Sequence, residues 1–168
     1  MIKKPFLYTG LLTLSLMLAV PAAAEQQAFS EDSIAVIENH YANEPFLLVM
    51  WSIECPPCRE ELALFSQLKR TGEKFNLVLI STDNLSQQDT LNATLTEFGL
   101  EAVDSWVFAS DNVEKLRYRL DPEWFGEMPR SYFYDRFHHR IAVSGKLTHK
   151  NIKAWLTDKK KKKKGLFW

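Results

Sequence analysis

Hydrophobic positions along the chain change period several times, and the changes mark out alternating helices and strands. Between Ser30 and Asn43, Ile34, Ile37 and Tyr41 recur at spacings of three and four, predicting a helix with Ser30 as its N-cap. Pro45 closes that element. Phe46 to Ile53 (FLLVMWSI) is an almost unbroken apolar run, as a central strand covered on both faces requires. From Cys58 the helical period returns, with Leu62, Phe65 and Leu68 on one face. Glu60 and Glu61 near its start and Lys69 and Arg70 at its end suit the helix dipole.

Asn76 to Thr82 (NLVLIST) predicts a second buried strand. Ser86 with Asp89 reads as a capping pair for a helix through Leu91, Leu95 and Phe98, stopped at Gly99. Ser105 to Ala109 predicts a short strand, and Asn112 to Arg119 a short helix. Ser131 to Tyr134 and Arg140 to Ser144 form a strand pair turned at Phe137 to His139, and Thr148 caps a last helix through Ile152, Trp155 and Leu156. From Phe46 onward the order is β-α-β-α-β-α-β-β-α. That order predicts an α/β fold, a central mixed sheet flanked by helices and closed by an antiparallel hairpin.

The first 24 residues stand outside this pattern. Lys3 and Lys4 precede an uncharged apolar stretch from Phe6 to Val20, and Pro21-Ala22-Ala23-Ala24 supplies the small residues of a cleavage site. Residues 1–24 are therefore read as a signal peptide, with an uncleaved N-terminal anchor as the alternative, and both readings put the domain in the periplasm or an equivalent space. Residues 25–158 form the single folded domain. At the other end, Lys159 to Lys164 and Gly165-Leu166-Phe167-Trp168 form a basic tail, 159–168, expected to be disordered. An anionic membrane surface is the contact such a tail suggests.

These ends also change how the charge is understood. The whole chain is neutral, with 21 basic and 21 acidic residues, yet 25–158 holds 13 of the basic and all 21 acidic ones. A domain of net charge −8 argues against nucleic acid as a partner.

The two cysteines, Cys55 and Cys58, form a Cys-x-x-Cys pair in a chain bound for a compartment where disulfides form. A bridge over two intervening residues closes too short a loop to stabilise the fold appreciably. Zinc would need two further ligands at suitable spacing, and there is no second cysteine pair. Placed between a buried strand and a helix, with Pro57 at a favoured first-turn position, Cys55 falls at a helix N-terminus. Unsatisfied N–H groups there favour a thiolate. Cys58, one turn in, is suited to resolving a mixed disulfide.

Val49-Met50-Trp51-Ser52-Ile53-Glu54-Cys55-Pro56-Pro57-Cys58-Arg59-Glu60-Glu61-Leu62 resembles the active-site segment of periplasmic thioredoxin-like proteins of the TlpA/ResA type. Met128-Pro129-Arg130-Ser131-Tyr132-Phe133-Tyr134-Asp135 resembles that family's cis-proline segment, and the similarity spans about residues 46–156. The resemblance implies a thioredoxin-like fold and a thiol–disulfide oxidoreductase that needs no cofactor or metal. It also implies protein disulfides as substrates and a membrane-bound thiol–disulfide electron donor as partner. Catalysis falls to Cys55 and Cys58, with Trp51, Glu54, Pro56, Pro57, Met128 and a cis Pro129 supporting the site. Two positions depart from the pattern. Glu54 replaces the usual Trp, and a carboxylate there opposes the thiolate, which leans the couple towards a reductase. Val49 stands where thioredoxin has a buried Asp, leaving Glu54 and Glu127 as candidate proton acceptors.

Other readings stay open at this point. His138 and His139 could join the cysteines in a copper-binding metallochaperone domain, although copper proteins of this fold class use Cys-x-x-x-Cys. A disulfide oxidase or isomerase is the other alternative. The Thr-x-x-Cys of thiol peroxidases is absent, since Ser52 stands three before Cys55. Trp124-Phe125-Gly126, just ahead of Pro129, suggests a substrate groove.

Overall fold

The computed structural model describes residues 26–110 and 112–163, with side chains as far as Thr157. The proposed signal segment, 1–24, lies outside the described residues. Six strands make one sheet in the order β1-β4-β3-β2-β5-β6. The strands are β1 Gln27–Phe29, β2 Phe46–Trp51, β3 Asn76–Ser81, β4 Asp104–Phe108, β5 Arg130–Tyr134 and β6 Arg140–Ser144. The helices are α1 Ser33–His40, α2 Pro56–Arg70, α3 Gln88–Glu97, α4 Val113–Leu120 and α5 His149–Lys163. Pairs β1–β4, β4–β3 and β3–β2 are parallel, while β2–β5 and β5–β6 are antiparallel.

The unbroken apolar run at 46–51 sits where such a run must sit, in the middle of the sheet. Alternate residues point to opposite faces, and each set enters a separate core. Leu47, Val49 and Trp51 join Leu62, Phe65, Leu68, Leu95 and Ile152 on the α2, α3 and α5 side. Phe46, Leu48 and Met50 join Ile37, Leu116, Leu120 and Tyr132 on the α1 and α4 side.

Four details differ from the sequence reading. Strand β1 was not expected, because three residues are too few to show a period; it is recruited as an edge by pairing with β4. Helix α1 starts at Ser33, with Asp32 at the N-cap position rather than Ser30. Ser86 is not a cap either: Asn84 and Gln87 form the capping box of a 3-10 turn at Leu85–Gln87 that leads into α3. Finally, α5 runs on to Lys163, so the first part of the tail expected to be disordered is helical. Lysine is a good helix former and its charge suits a helix C-terminus. Residues 164–168 lie outside the described residues. Among the described residues no helix is long and apolar enough to cross a membrane.

Candidate active site

β2 ends at Trp51 and α2 begins at Pro56, leaving Ser52 to Cys55 as the connection. Prolines suit the first turn of a helix because its N–H groups have no intrahelical acceptor, and exposed Pro56 and Pro57 occupy those positions. Cys55 is the N-cap, and its Sγ accepts the N–H of Cys58 at 3.3 Å. The two cysteines are joined as a disulfide, with Cα atoms 5.2 Å apart. Cys55 is partly exposed, whereas Cys58 is 1% exposed and packs in the core with Val49, Trp51 and Leu62. One sulfur therefore faces solvent and the other is shielded behind it.

The connection is tied down by Asp83, just beyond the end of neighbouring β3. Its carboxylate accepts the Ile53 N–H at 2.9 Å, the Ser52 hydroxyl at 2.8 Å and the Ser81 hydroxyl at 2.7 Å. Thr82 ties the same end of β2 to the loop before β5. Its N–H donates to the Trp51 carbonyl at 3.0 Å, and its hydroxyl lies 3.6 Å from Met128 Sδ. Because Met50 pairs with Arg130, the turn carrying Met128 and Pro129 arrives beside the cysteine connection. The Met128–Pro129 peptide bond is cis, and Pro129 is buried. Met128 and Cys55 pack against the same core cluster.

No protein-family model and no curated protein matches the sequence, but solved structures share its architecture. A secreted disulfide oxidoreductase from Mycobacterium tuberculosis, described as homologous to E. coli DsbE, matches with a TM-score of 0.56 at 16% identity, over 71% of this chain and 85% of its own. A DsbF homologue from Corynebacterium diphtheriae gives 0.58 at 18% identity, over 72% and 75%. A thioredoxin-related protein from Neisseria meningitidis gives 0.56 at 16%, over 69% and 84%.

The fold is thioredoxin-like. At these identities the likeness carries the fold, and the activity has to be argued from the site.

Within the thioredoxin-like frame, the proton-acceptor candidates change. Glu54 is exposed, with its N–H donating to Ser52 Oγ at 3.3 Å, so its charge is solvated and screened. Glu127 is committed elsewhere, accepting the Ser144 hydroxyl at 2.6 Å and a guanidinium N–H from Arg130 at 3.3 Å. The buried carboxyl at the site is Glu61. It follows Cys58 by three residues, on the same face of α2, and is 1% exposed. Oε1 accepts the Leu147 N–H at 2.8 Å, while Oε2 is buried without a hydrogen-bond partner. Burial pushes the carboxyl up to about 7, against the opposing pull of the Leu147 N–H and the Lys146 ammonium. In the sequence Glu61 reads, with Glu60, as an acid facing the helix dipole, yet neither lies in the first turn. The available signal was its position, adjoining Leu62 on the stripe that runs Cys58, Leu62, Phe65.

His138 and His139 are far from the cysteines. They follow β5, whose Tyr134 pairs with Phe46 at the opposite end of β2 from Trp51. Those ends are the first and last of six strand residues, roughly 16 Å apart at about 3.3 Å for each step between them. His138 Nε2 lies 3.2 Å from the Tyr41 carbonyl, and His139 Nδ1 lies 3.3 Å from Asp135. The copper reading therefore loses its histidines. Trp124 is buried, whereas Phe125 beside it is 84% exposed.

Proposed function

We propose that this protein is an exported thiol–disulfide oxidoreductase that reduces disulfides in protein substrates. The observation that carries the reading is the Cys55–Cys58 disulfide at the start of α2, with Cys55 reachable and Cys58 shielded. In the reduced protein, Cys55 thiolate attacks one sulfur of a substrate disulfide. A mixed disulfide forms and the first substrate thiolate leaves. Cys58, deprotonated in turn, attacks Cys55 Sγ and expels the second substrate thiolate. Two electrons pass to the substrate and the Cys55–Cys58 bridge re-forms. A membrane-bound dithiol donor returns the pair to the reduced state by the reverse exchange.

Three features support the roles. The Cys58 N–H aimed at Cys55 Sγ and the α2 dipole favour negative charge on the Cys55 sulfur. Glu61, one turn beyond Cys58 with an unpartnered oxygen, is the acceptor for the Cys58 proton. Its raised affinity for protons, with half-protonation at about 7, suits a group that must take and release one near neutrality. The Met128–Pro129 backbone, beside the same core cluster as Cys55, is the edge against which the substrate chain lies. For the direction we rely on Glu54: even exposed and screened, a carboxylate adjoining Cys55 acts against the thiolate, and that leans the couple towards reduction.

The deciding experiment is reduction of insulin disulfides by the dithiol-regenerated protein, together with titration of the couple against glutathione. Turnover that Cys55→Ser abolishes, with a couple more reducing than glutathione, supports the reading. Full activity in Cys55→Ser would remove the chemistry. An oxidising potential would replace the reductase with an oxidase or isomerase.

A further inference from the structure

The segment from Asp121 to Pro129, which delivers the Met128–Pro129 bond to the cysteines, is fastened at both ends to one buried side chain. Arg130 is 8% exposed. Its Nη2 donates to Asp121 Oδ2 at 2.7 Å, where the segment begins, and its Nη1 to Glu127 Oε1 at 3.3 Å, where the segment ends. Nη1 also reaches Ser144 Oγ at 2.5 Å, and that hydroxyl in turn donates to Glu127 Oε1. Asp121 further accepts the Tyr132 hydroxyl at 2.9 Å.

The residues between are secured in the same way. Trp124 N–H donates to the Asp121 carbonyl at 3.0 Å, and its indole N–H to the Glu127 carbonyl at 2.8 Å. The Phe125 N–H donates to Glu127 Oε2 at 3.1 Å. Pro122, Glu123 and Phe125 are left exposed, and Phe125 is the large apolar side chain among them. The Phe125 ring, at 84%, is the most exposed large hydrophobic among the described residues. It lies three residues from Met128, within about 10 Å along the chain.

A buried ion pair adds little net stability, because desolvation offsets the attraction; what it supplies is a fixed arrangement. Here that arrangement is a segment fixed at both ends, which displays one aromatic ring to solvent three residues ahead of Met128 and the turn that adjoins the cysteine connection. An aromatic side chain whose backbone is fixed before binding has less freedom to lose on contact, and aromatic anchors carry a large share of protein–protein binding energy.

We propose that Arg130 is a positioning residue, holding the 121–129 segment so that Phe125 meets an apolar side chain of the protein substrate as its disulfide reaches Cys55. This rests on the reading under Proposed function, and deepens it by naming what distinguishes a protein disulfide from a small one.

The test compares two disulfides, insulin and 2-hydroxyethyl disulfide, reacting with the reduced protein. The readout is the ratio of their second-order rate constants. Phe125→Ala lowers that ratio about tenfold, the loss expected of an interface anchor, and Arg130→Met lowers it similarly. Because Arg130 acts through Phe125, the double variant matches either single variant instead of multiplying their effects. Glu127→Gln, at the exposed end of the tie, repeats the comparison should Arg130→Met fail to fold. An unchanged ratio in Phe125→Ala, or effects that multiply in the double variant, overturns the proposal and leaves the chemistry standing. Wild-type protein that reacts with neither disulfide overturns the functional reading and this proposal together.

Discussion

The backbone N–H of Cys58 points at Sγ of Cys55 across 3.3 Å, from inside the first turn of α2. Opening the disulfide leaves that N–H facing a sulfur able to carry negative charge, on the solvent side of the pair. Cys58, at 1% exposure, has no such access. Pulse alkylation of the reduced protein with iodoacetamide should therefore label Cys55 faster than Cys58 by on the order of tenfold or more. Cys58→Ala should accumulate stable mixed disulfides through Cys55, visible as dithiothreitol-sensitive adducts on non-reducing gels. Equal labelling of the two cysteines would remove Cys55 as the attacking group.

Asp83 holds the connection that carries Cys55, by accepting from Ile53 N–H, Ser52 and Ser81. Asp83→Ala strands three donors at a partly buried position, a change that costs about 1–3 kcal/mol. Asp83→Asn keeps one acceptor oxygen and should cost less. Urea unfolding of the oxidised proteins checks both: the midpoint should fall in that order, with the slope unchanged. A midpoint in Asp83→Ala within error of wild type would show that water replaces the carboxylate at no cost.

The parts of this molecule that sequence made legible are those set by local pattern. The buried strand at Phe46, the apolar stripe of α2 and the cysteines at the junction between them all follow from periodicity and proline placement. What escaped depends on contacts distant in sequence. Asp83 serves residues 30 and 31 positions earlier, and nothing in the run NLVLISTDN marks it as their acceptor. Arg130 stands just ahead of the run, Ser131 to Tyr134, that reads as strand, and only the fold shows that its guanidinium turns back to Asp121 and Glu127. β1 exists because β4 offers it an edge. Glu61 was visible as an acid within an apolar stripe, but its raised proton affinity comes from its burial in the folded core, which outweighs the Leu147 N–H that favours the charged form.

Gly126 sits at φ +99°, a conformation that side chains disfavour, and the Arg117 guanidinium lies 2.5 Å from where a Cβ would stand. The long Arg117 side chain can swing away, so the backbone conformation sets most of the cost. Gly126→Ala should destabilise the protein by about 1–2 kcal/mol. Adding Arg117→Ala should not restore the loss, because it opens space without changing φ. Thermal unfolding of the single and double variants checks this, and full recovery in the double would assign the cost to the clash instead.

Glu61 makes stability depend on pH in a definite direction. Its carboxyl binds protons up to about pH 7 in the folded protein, against an ordinary value of 4.5, chiefly because burial disfavours the charge. Below pH 4.5 the group is protonated whether the chain is folded or not, and the folded state carries no penalty. As pH rises from 4.5 to 7, the unfolded chain releases this proton and the folded one keeps it, so stability falls by up to about 1.4 kcal/mol per pH unit. Above 7 the buried charge has formed and the loss levels off, at a total on the order of 3 kcal/mol. Glu61→Gln stays neutral throughout and retains an oxygen for the Leu147 N–H. Urea unfolding of the oxidised proteins across pH 4 to 8 should therefore show wild type losing stability relative to the variant through that window. At pH 8 Glu61→Gln should be the more stable of the two, and parallel curves would mean that the carboxyl ionises at its ordinary value in the fold.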